Sequence, residues 1–424
     1  MKNCLILLTN YYPFFKGEEY LESEILHLST IFRKIYILST MADEEMEQTR
    51  SLPNNITVIK SGIPHSISGK IKMVLAKQKA ARYSIKNNQL LKKDGENSIL
   101  KKAFSFYFES RAKYIYSRLL KKLERENITD KKFDNIVIYS YWFYITARIA
   151  VELKQNYFKN FNPYTISRAH GYDINEHVNL LKFIPQRKFL LNSLDNVYPV
   201  SQYSVDFLRK KYPEYKNKVE VRRLGTKKMN ITTHNKSDVV NIVSCSTIRK
   251  LKRIDLIIEA LAILKEKKIN FKWTHIGSGP DFENVKKLAV EKLDSDQFEF
   301  TGYMKNSEVL DWYQDNKYTV FINTSSSEGV PVSIMEAMSM SLPVIATDVG
   351  GTKEIVESDV TGYLLKSNCS KEEVADCLIK ILYMDEVKYN EMCESAYRLW
   401  NNQCNADKLY SAFANELHLA NSKV

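Results

Sequence analysis

No stretch of the 424 residues comes near eighteen uninterrupted apolar side chains, so no transmembrane helix is expected. The opening MKNCLILLTNYYPFF carries a single lysine and a short apolar run, but no small-residue cleavage site follows. It reads as a first strand and not as a secretory signal. The six cysteines (Cys4, Cys245, Cys369, Cys377, Cys393 and Cys404) lack any C-x-x-C spacing. In so long a chain that fits free, mostly buried thiols in a reducing cytoplasm and argues against a disulfide framework or a zinc site. No nucleic-acid-binding module is in sight, and no paired carboxylates or Ser-His-Asp arrangement supplies a ready protein base.

Acid is scarce in one region. Between Lys60 and Arg125 there are seventeen Lys or Arg against four Asp or Glu, a surplus that accounts for the whole net charge of +12. The stretch reads as helices, with Ile71, Val74, Leu75, Phe104, Tyr107, Ile115, Leu119 and Leu120 among the charges and Lys92–Asn97 as a loop between them. An amphipathic basic block of this kind suits an anionic membrane surface, with a solvated basic face as the plain alternative.

What is present has the rhythm of an α/β protein. Cys4–Thr9 is a buried strand, Asn10–Gly17 a loop, Glu18–Phe32 a helix and Lys34–Ser39 a second strand. Strands at Ile56–Lys60, Asn135–Ser140, Tyr164–Ser167, Asn196–Ser201 and Val219–Arg223 complete a first sheet. The polar Lys227–Ser237 is a linker. A second series of strands begins at Val239–Ser246 and continues through Lys272–Ile276, Phe298–Phe300, Tyr318–Ile322, Val344–Ala346 and Gly362–Leu365. Ligands of such sheets collect in the loops at the carboxyl ends of the strands.

The most informative stretch is Thr324–Leu365. A polar loop leads into Glu328-Gly329-Val330-Pro331, with Pro331 at the first position of an apolar helix interrupted by one carboxylate, Glu336. Pro343–Thr347 is a buried strand, followed by Gly350-Gly351 and a second helix start at Thr352-Lys353-Glu354. Free amides of Val332 and its neighbours, approached by Gly329 and Val330, make an anion-accepting end. The two glutamates lie on either side of it, suited to the hydroxyls that flank a diphosphate in a nucleotide sugar. Upstream, the turn Thr247–Arg253 places Arg249, Lys250, Lys252 and Arg253 after a strand end, where they can neutralise a diphosphate. In the first half, His170-Gly171 at a strand's carboxyl end is the best candidate for a site residue, with Asp173 organising its loop. Asp294-Ser295-Asp296 is a D-x-D, read as a loop and not as a metal site, and Gly277-Ser278-Gly279 is a tight turn.

Glu328-x7-Glu336 within EGVPVSIMEAMS, followed by PVIATDVGGTKEIV and GYLL, resembles the donor-site signature of retaining glycosyltransferases of the two-Rossmann-domain (GT-B) type, in the flavour of bacterial exopolysaccharide and colanic-acid enzymes. The resemblance is strongest over Asn241–Leu365. It implies two Rossmann-like doubly wound domains facing a central cleft, with residues 1–228 the acceptor domain carrying a basic helical insertion at about 61–126. Residues 229–404 would bind the nucleotide sugar, and 405–424 would form a helix crossing back to the first domain. It also implies hexose transfer from a nucleotide-diphosphate sugar without a metal or other cofactor, onto a lipid-linked saccharide acceptor, in the cytoplasm or at the inner membrane face. His170, Glu328 and Lys252 would be the catalytic residues. Glu336, Gly329, Val330, Arg249, Thr247 and Gly17 would bind the donor. Relatives carry arginine where Thr247 stands, and two adjacent glycines where this chain has Lys16-Gly17. Two rival readings are a nucleotide-sugar epimerase and a catalytically silent binding subunit of a polysaccharide assembly.

Overall fold

The computed structural model describes residues 3–14, 17–130, 133–229 and 239–420. Residues 230–237 of the expected linker lie outside them. The chain forms two compact units, one reaching to Arg222 and taking in the chain from Tyr410 onward, the other Arg223–Leu409.

In the first unit, β1 (Asn3–Thr9), β2 (Lys34–Ser39), β3 (Ile56–Lys60), β4 (Asn135–Ser140), β5 (Tyr164–Ala169) and β6 (Asn196–Pro199) form one sheet in the order β3-β2-β1-β4-β5-β6. In the second, β7 (Val240–Cys245), β8 (Phe271–Ile276), β9 (Phe298–Gly302), β10 (Val320–Asn323), β11 (Val344–Thr347) and β12 (Gly362–Leu365) run β12-β11-β10-β7-β8-β9. Every pairing within both sheets is parallel. Both therefore have the doubly wound Rossmann order, in which the strand sequence reverses beside the first strand. Helices cover both faces, which is why the strands are continuous apolar runs such as Cys4–Leu8, fully buried.

The last helix, Ala406–Ala420, begins in the second unit, while Phe413, Ala414 and Leu417 are buried in the core of the first beside Leu5, Leu7 and Tyr139. Glu416 accepts from Arg222 Nε at 2.7 Å, fixing that helix further. The basic region forms helices Ile67–Asn87, Gln89–Lys93 and Ile99–Arg125. The third packs Phe108, Ala112, Ile115 and Leu119 into the core against β1, β2 and β4. A buried guanidinium, Arg148, holds it in place by donating to Glu109 at 2.9 and 2.8 Å.

Three local expectations are corrected. Val219–Arg223 is not a ladder strand; it makes one bridge to Val197 and two amide bonds, from Glu220 to Val197 and from Arg222 to Pro199. With charged or polar side chains at three of its five positions, it has no apolar run to bury between two helix layers. Thr352–Glu354 is a single 3-10 turn and no longer helix follows it. Pro331 is the N-cap, one residue before the helix Val332–Ser339, in an extended conformation.

Candidate functional site

In the second unit the strand order reverses between β7 and β10, and the loops leaving those two strands carry the predicted donor residues. The two loops are stitched together by backbone and hydroxyl contacts. Ser326 donates its amide to Leu251 O at 2.7 Å, and Thr324 Oγ1 donates to Arg253 O at 2.9 Å. This registration brings Lys252 Nζ to 2.6 Å from Glu328 Oε1, an ion pair with 21% and 11% of the side chains exposed. Asn323 Nδ2 adds a long contact to the same oxygen at 3.4 Å. So two of the predicted residues meet each other directly.

The glycines in these turns have a physical reason. Gly350, at φ +58°, would place a Cβ 2.0 Å from Glu328 O, and the Gly351 amide donates to Gly329 O at 2.6 Å. The Gly-Gly turn therefore clasps the Glu328-Gly329 loop from behind, where any side chain would push it away. Gly277 and Gly279 do the same for the other loop, since Cβ atoms there would lie 2.0 Å from Ser246 O and 2.3 Å from Ile248 O. The G-x-G turn thus shapes the turn carrying Thr247.

Of the basic residues in that turn, Arg249 and Lys250 are exposed and Thr247 is also exposed. Arg253 is otherwise engaged, its guanidinium donating to Ser367 O at 2.6 Å and Cys369 O at 3.1 Å. It ties down the loop after β12, which removes it from the expected set of phosphate-neutralising cations. The amides of Val332 and Ser333, ahead of the first bonds to Pro331 O, have no partner within the helix Val332–Ser339, as at any helix start.

Glu336 does not face solvent. It is 5% exposed, and Asn306 Nδ2 donates to its Oε1 at 2.7 Å. Burial pushes its carboxyl up to about 7, opposed by that hydrogen bond. No described residue hydrogen-bonds Oε2. Cys245, at the end of β7, is close enough that the Glu336 charge, after burial itself, helps push the thiol up to about 12. Asn306 is the residue that sequence reasoning missed; nothing in its spacing from Glu336 signals the contact.

In the first unit the reversal falls between β1 and β4. Glu18 closes it: its carboxylate accepts from the amides of Asn10 (2.8 Å), Tyr11 (2.9 Å) and Tyr12 (2.7 Å) and from Trp142 Nε1 (2.7 Å). Sequence reasoning placed Glu18 at a helix start and missed this role. Gly17 has φ +97° and nothing within 4 Å of where a Cβ would be, so that side of the loop is open. Phe15 and Lys16 of the same loop lie outside the described residues.

His170, just after β5, packs at a tilt against Tyr141 and Trp142 with ring centroids 4.8 and 4.5 Å away. Burial, reinforced by Arg168, lowers its pKa to about 3, so the ring is neutral. Its Nε2 lies 3.0 Å from Tyr141 O. A carbonyl only accepts, so Nε2 carries the proton and Nδ1 is the acceptor. Asp173 organises the loop by accepting from the amides of His170 and Phe143, each at 2.6 Å. Burial raises Asp173 to about 7 against the pull of Arg187.

Asp294 of the D-x-D accepts from Lys265 at 2.8 Å in an exposed loop, and no group of three His, Cys, Asp or Glu among the described residues could hold a metal ion.

Comparisons with known proteins bear on the fold and on what the chain resembles. Residues 227–399 match the family described as glycosyl transferases group 1. Among curated relatives, a putative colanic acid biosynthesis glycosyltransferase of Escherichia coli is 27% identical over 209 residues, covering 47% of this chain and 50% of the relative. An amylovoran biosynthesis glycosyltransferase of Erwinia amylovora is 29% identical over 155 residues, covering 35% of this chain and 38% of the relative. The chain spans about half the length, or less, of these relatives. Over the full length of both chains, the fold is similar to a lipopolysaccharide outer core galactosyltransferase (TM-score 0.66, 12% identity). It is equally similar in extent to sucrose-phosphate synthase from Thermosynechococcus elongatus (TM-score 0.70, 14% identity). The fold is thus α/β with two Rossmann-like units, as in GT-B glycosyltransferases.

Proposed function

We propose that the chain is a retaining glycosyltransferase that moves a hexose from a nucleotide-diphosphate sugar onto a growing, lipid-linked saccharide, without a metal ion. The observation that carries the reading is the Lys252–Glu328 pair at the β7/β10 reversal, with the buried carboxylate of Glu336 in the same unit. An ammonium has three N–H donors, so Lys252 can keep Glu328 and still donate to a diphosphate. The departing nucleoside diphosphate gains charge as the anomeric carbon–oxygen bond breaks. Lys252, Arg249 and the amides behind Gly329 and Val330 would meet that charge. Glu336 Oε2 would accept from the ribose and Glu328 from the sugar, and Thr247 would line the donor without charge. His170 and Gly17 are the candidate residues of the first unit. The acceptor's proton would pass to the donor's own phosphate, which needs no protein base.

Support comes from the family match over 227–399 and from the relatives' roles in polysaccharide assembly. A protein of the same fold has been solved with UDP and glucose. The free cysteines, five of them buried, suit the cytoplasm, and the basic stretch 60–125 suits an anionic membrane surface near a lipid-linked acceptor. Among the described residues no helix is long and apolar enough to cross a membrane.

Calorimetric titration with UDP and GDP, followed by turnover of the matching nucleotide sugars, tests the reading. Binding of one nucleotide that Glu336→Ala weakens is expected. Binding that this substitution leaves unchanged would refute the site. Tight binding with no turnover on any acceptor would favour a silent binding subunit, the reading that exposed, uncharged Thr247 keeps open.

A further inference from the structure

The helix Ile67–Asn87 has two apolar sides, and the protein covers only one. Met73 and Ala81 are buried against the rest of the unit, at 2% and 0% exposure. Ile67, Ile71 and Leu75, spaced four apart on the opposite face, are 79%, 56% and 58% exposed. The same helix holds six cations (Lys70, Lys72, Lys77, Lys79, Arg82 and Lys86) and no Asp or Glu. Lys72, Lys79 and Lys86 recur every seven residues along one flank of the apolar ridge, and all three are exposed. None of the six is in an ion pair with a described residue.

The neighbouring helix Ile99–Arg125 uses its charges differently. Lys113 pairs with Glu152 at 2.7 Å and Lys122 with Glu44 at 2.6 Å, while Phe108, Ala112, Ile115, Leu119 and Leu123 fill the core. This helix also exposes Ile99 and Leu100 at its start, at 86% and 65%, but only in Ile67–Asn87 does an uncovered aliphatic ridge run over two turns beside a lysine flank.

We propose that Ile67–Asn87 lies in the plane of an anionic bilayer surface, with Ile67, Ile71 and Leu75 entering the boundary between headgroups and acyl chains. This rests on the glycosyltransferase reading only in its choice of setting. Cations alone would suit a nucleic acid equally, but three aliphatic side chains gain nothing against a phosphate backbone. They gain from leaving water for the acyl boundary, and the lysine flank then meets lipid phosphates. Tyr83, 74% exposed beside that flank, is the residue type that favours such a boundary.

The test is flotation of the full chain with vesicles of phosphatidylcholine alone or with about a third phosphatidylglycerol. Wild type should bind the anionic vesicles at least about tenfold more tightly, and the preference should shrink at high salt. Ile67→Ser/Ile71→Ser/Leu75→Ser should lose about tenfold or more while keeping every cation. It should also keep the wild-type melting temperature and nucleotide affinity, since these positions are exposed. Should the triple variant melt early, Ile71→Ser alone serves. Equal binding by the ridge variant, no vesicle binding by wild type, or displacement from vesicles by double-stranded DNA at equal charge would overturn the proposal. Vesicle binding with no nucleotide binding would instead refute the catalytic reading and leave this one standing.

Discussion

Glu336 should pull stability and ligand affinity in opposite directions. Its carboxyl titrates near 4.5 when exposed, and burial raises it to about 7 against the pull of its one amide partner. Between those values the folded chain holds the proton more tightly than the unfolded chain, so stability falls as pH rises through the window and levels off above it. The full effect is about 3 kcal/mol, at about 1.4 kcal/mol per pH unit. Glu336→Gln removes the titration and can still accept the Asn306 N–H. The variant should therefore be about 2–3 kcal/mol more stable at pH 8, a melting rise of about 5–10 °C for a unit of this size. The same change should weaken nucleotide binding by about 10–100-fold, because a charged acceptor becomes neutral. Thermal melting from pH 5 to 8.5 and calorimetric titration with UDP or GDP measure the two arms. A variant that melts below wild type at pH 8, or wild-type stability that is flat between pH 5 and 7, would refute the account of the buried carboxylate. Unchanged affinity would remove Glu336 from the donor site.

Other substitutions have equally direct outcomes. Lys252→Ala should lower kcat/KM by about 10–100-fold, the value of a charged hydrogen bond to the leaving group. A wild-type rate would show the assignment to be wrong. Gly350→Ala forces a Cβ against Glu328 O and should cost about 2 kcal/mol or more of stability together with nucleotide affinity, read by melting and titration. Glu18→Gln replaces one acceptor oxygen of a carboxylate holding four N–H groups and should lower the unfolding free energy by about 2 kcal/mol, read by denaturant titration. His170 stays neutral to about pH 3 when folded, while an unfolded histidine protonates near 6.5, so it erodes stability as pH falls below 6.5. His170→Phe should flatten that acid slope, and an unchanged slope would show the ring to be open to water.

Much of the fold was legible because burial on both faces writes itself as unbroken apolar runs. β2, β3, β4 and β12 have the very bounds the sequence predicts. Val219–Arg223 misled because extended backbone with alternating charge looks like a strand, yet only two amides reach β6. At the site, Glu328, Lys252 and Glu336 were visible through chain-local pattern. Their partners were less so. The Asn306–Glu336 contact joins residues 30 apart on different helices. That Arg253 is committed to Ser367 and Cys369 depends on where the β12 loop falls, which composition cannot tell. The basic stretch looked uniform in sequence, and only burial separates the helix that fills the core from the one with an uncovered ridge.

The two units share one topology and have taken opposite chemistry at the reversal of the strand order. At β1/β4 the carboxylate of Glu18 accepts four N–H groups of the chain itself, which uses its capacity and fixes the loop. At β7/β10 the carboxylate of Glu328 is balanced by a lysine whose ammonium has donors to spare and whose stem can swing. A site completed by its own chain has little left to offer a charged ligand. One that pairs an acid with an under-used cation beside open helix amides does. That difference, and not the fold the units share, is why the proposed pyrophosphate site falls in the second unit.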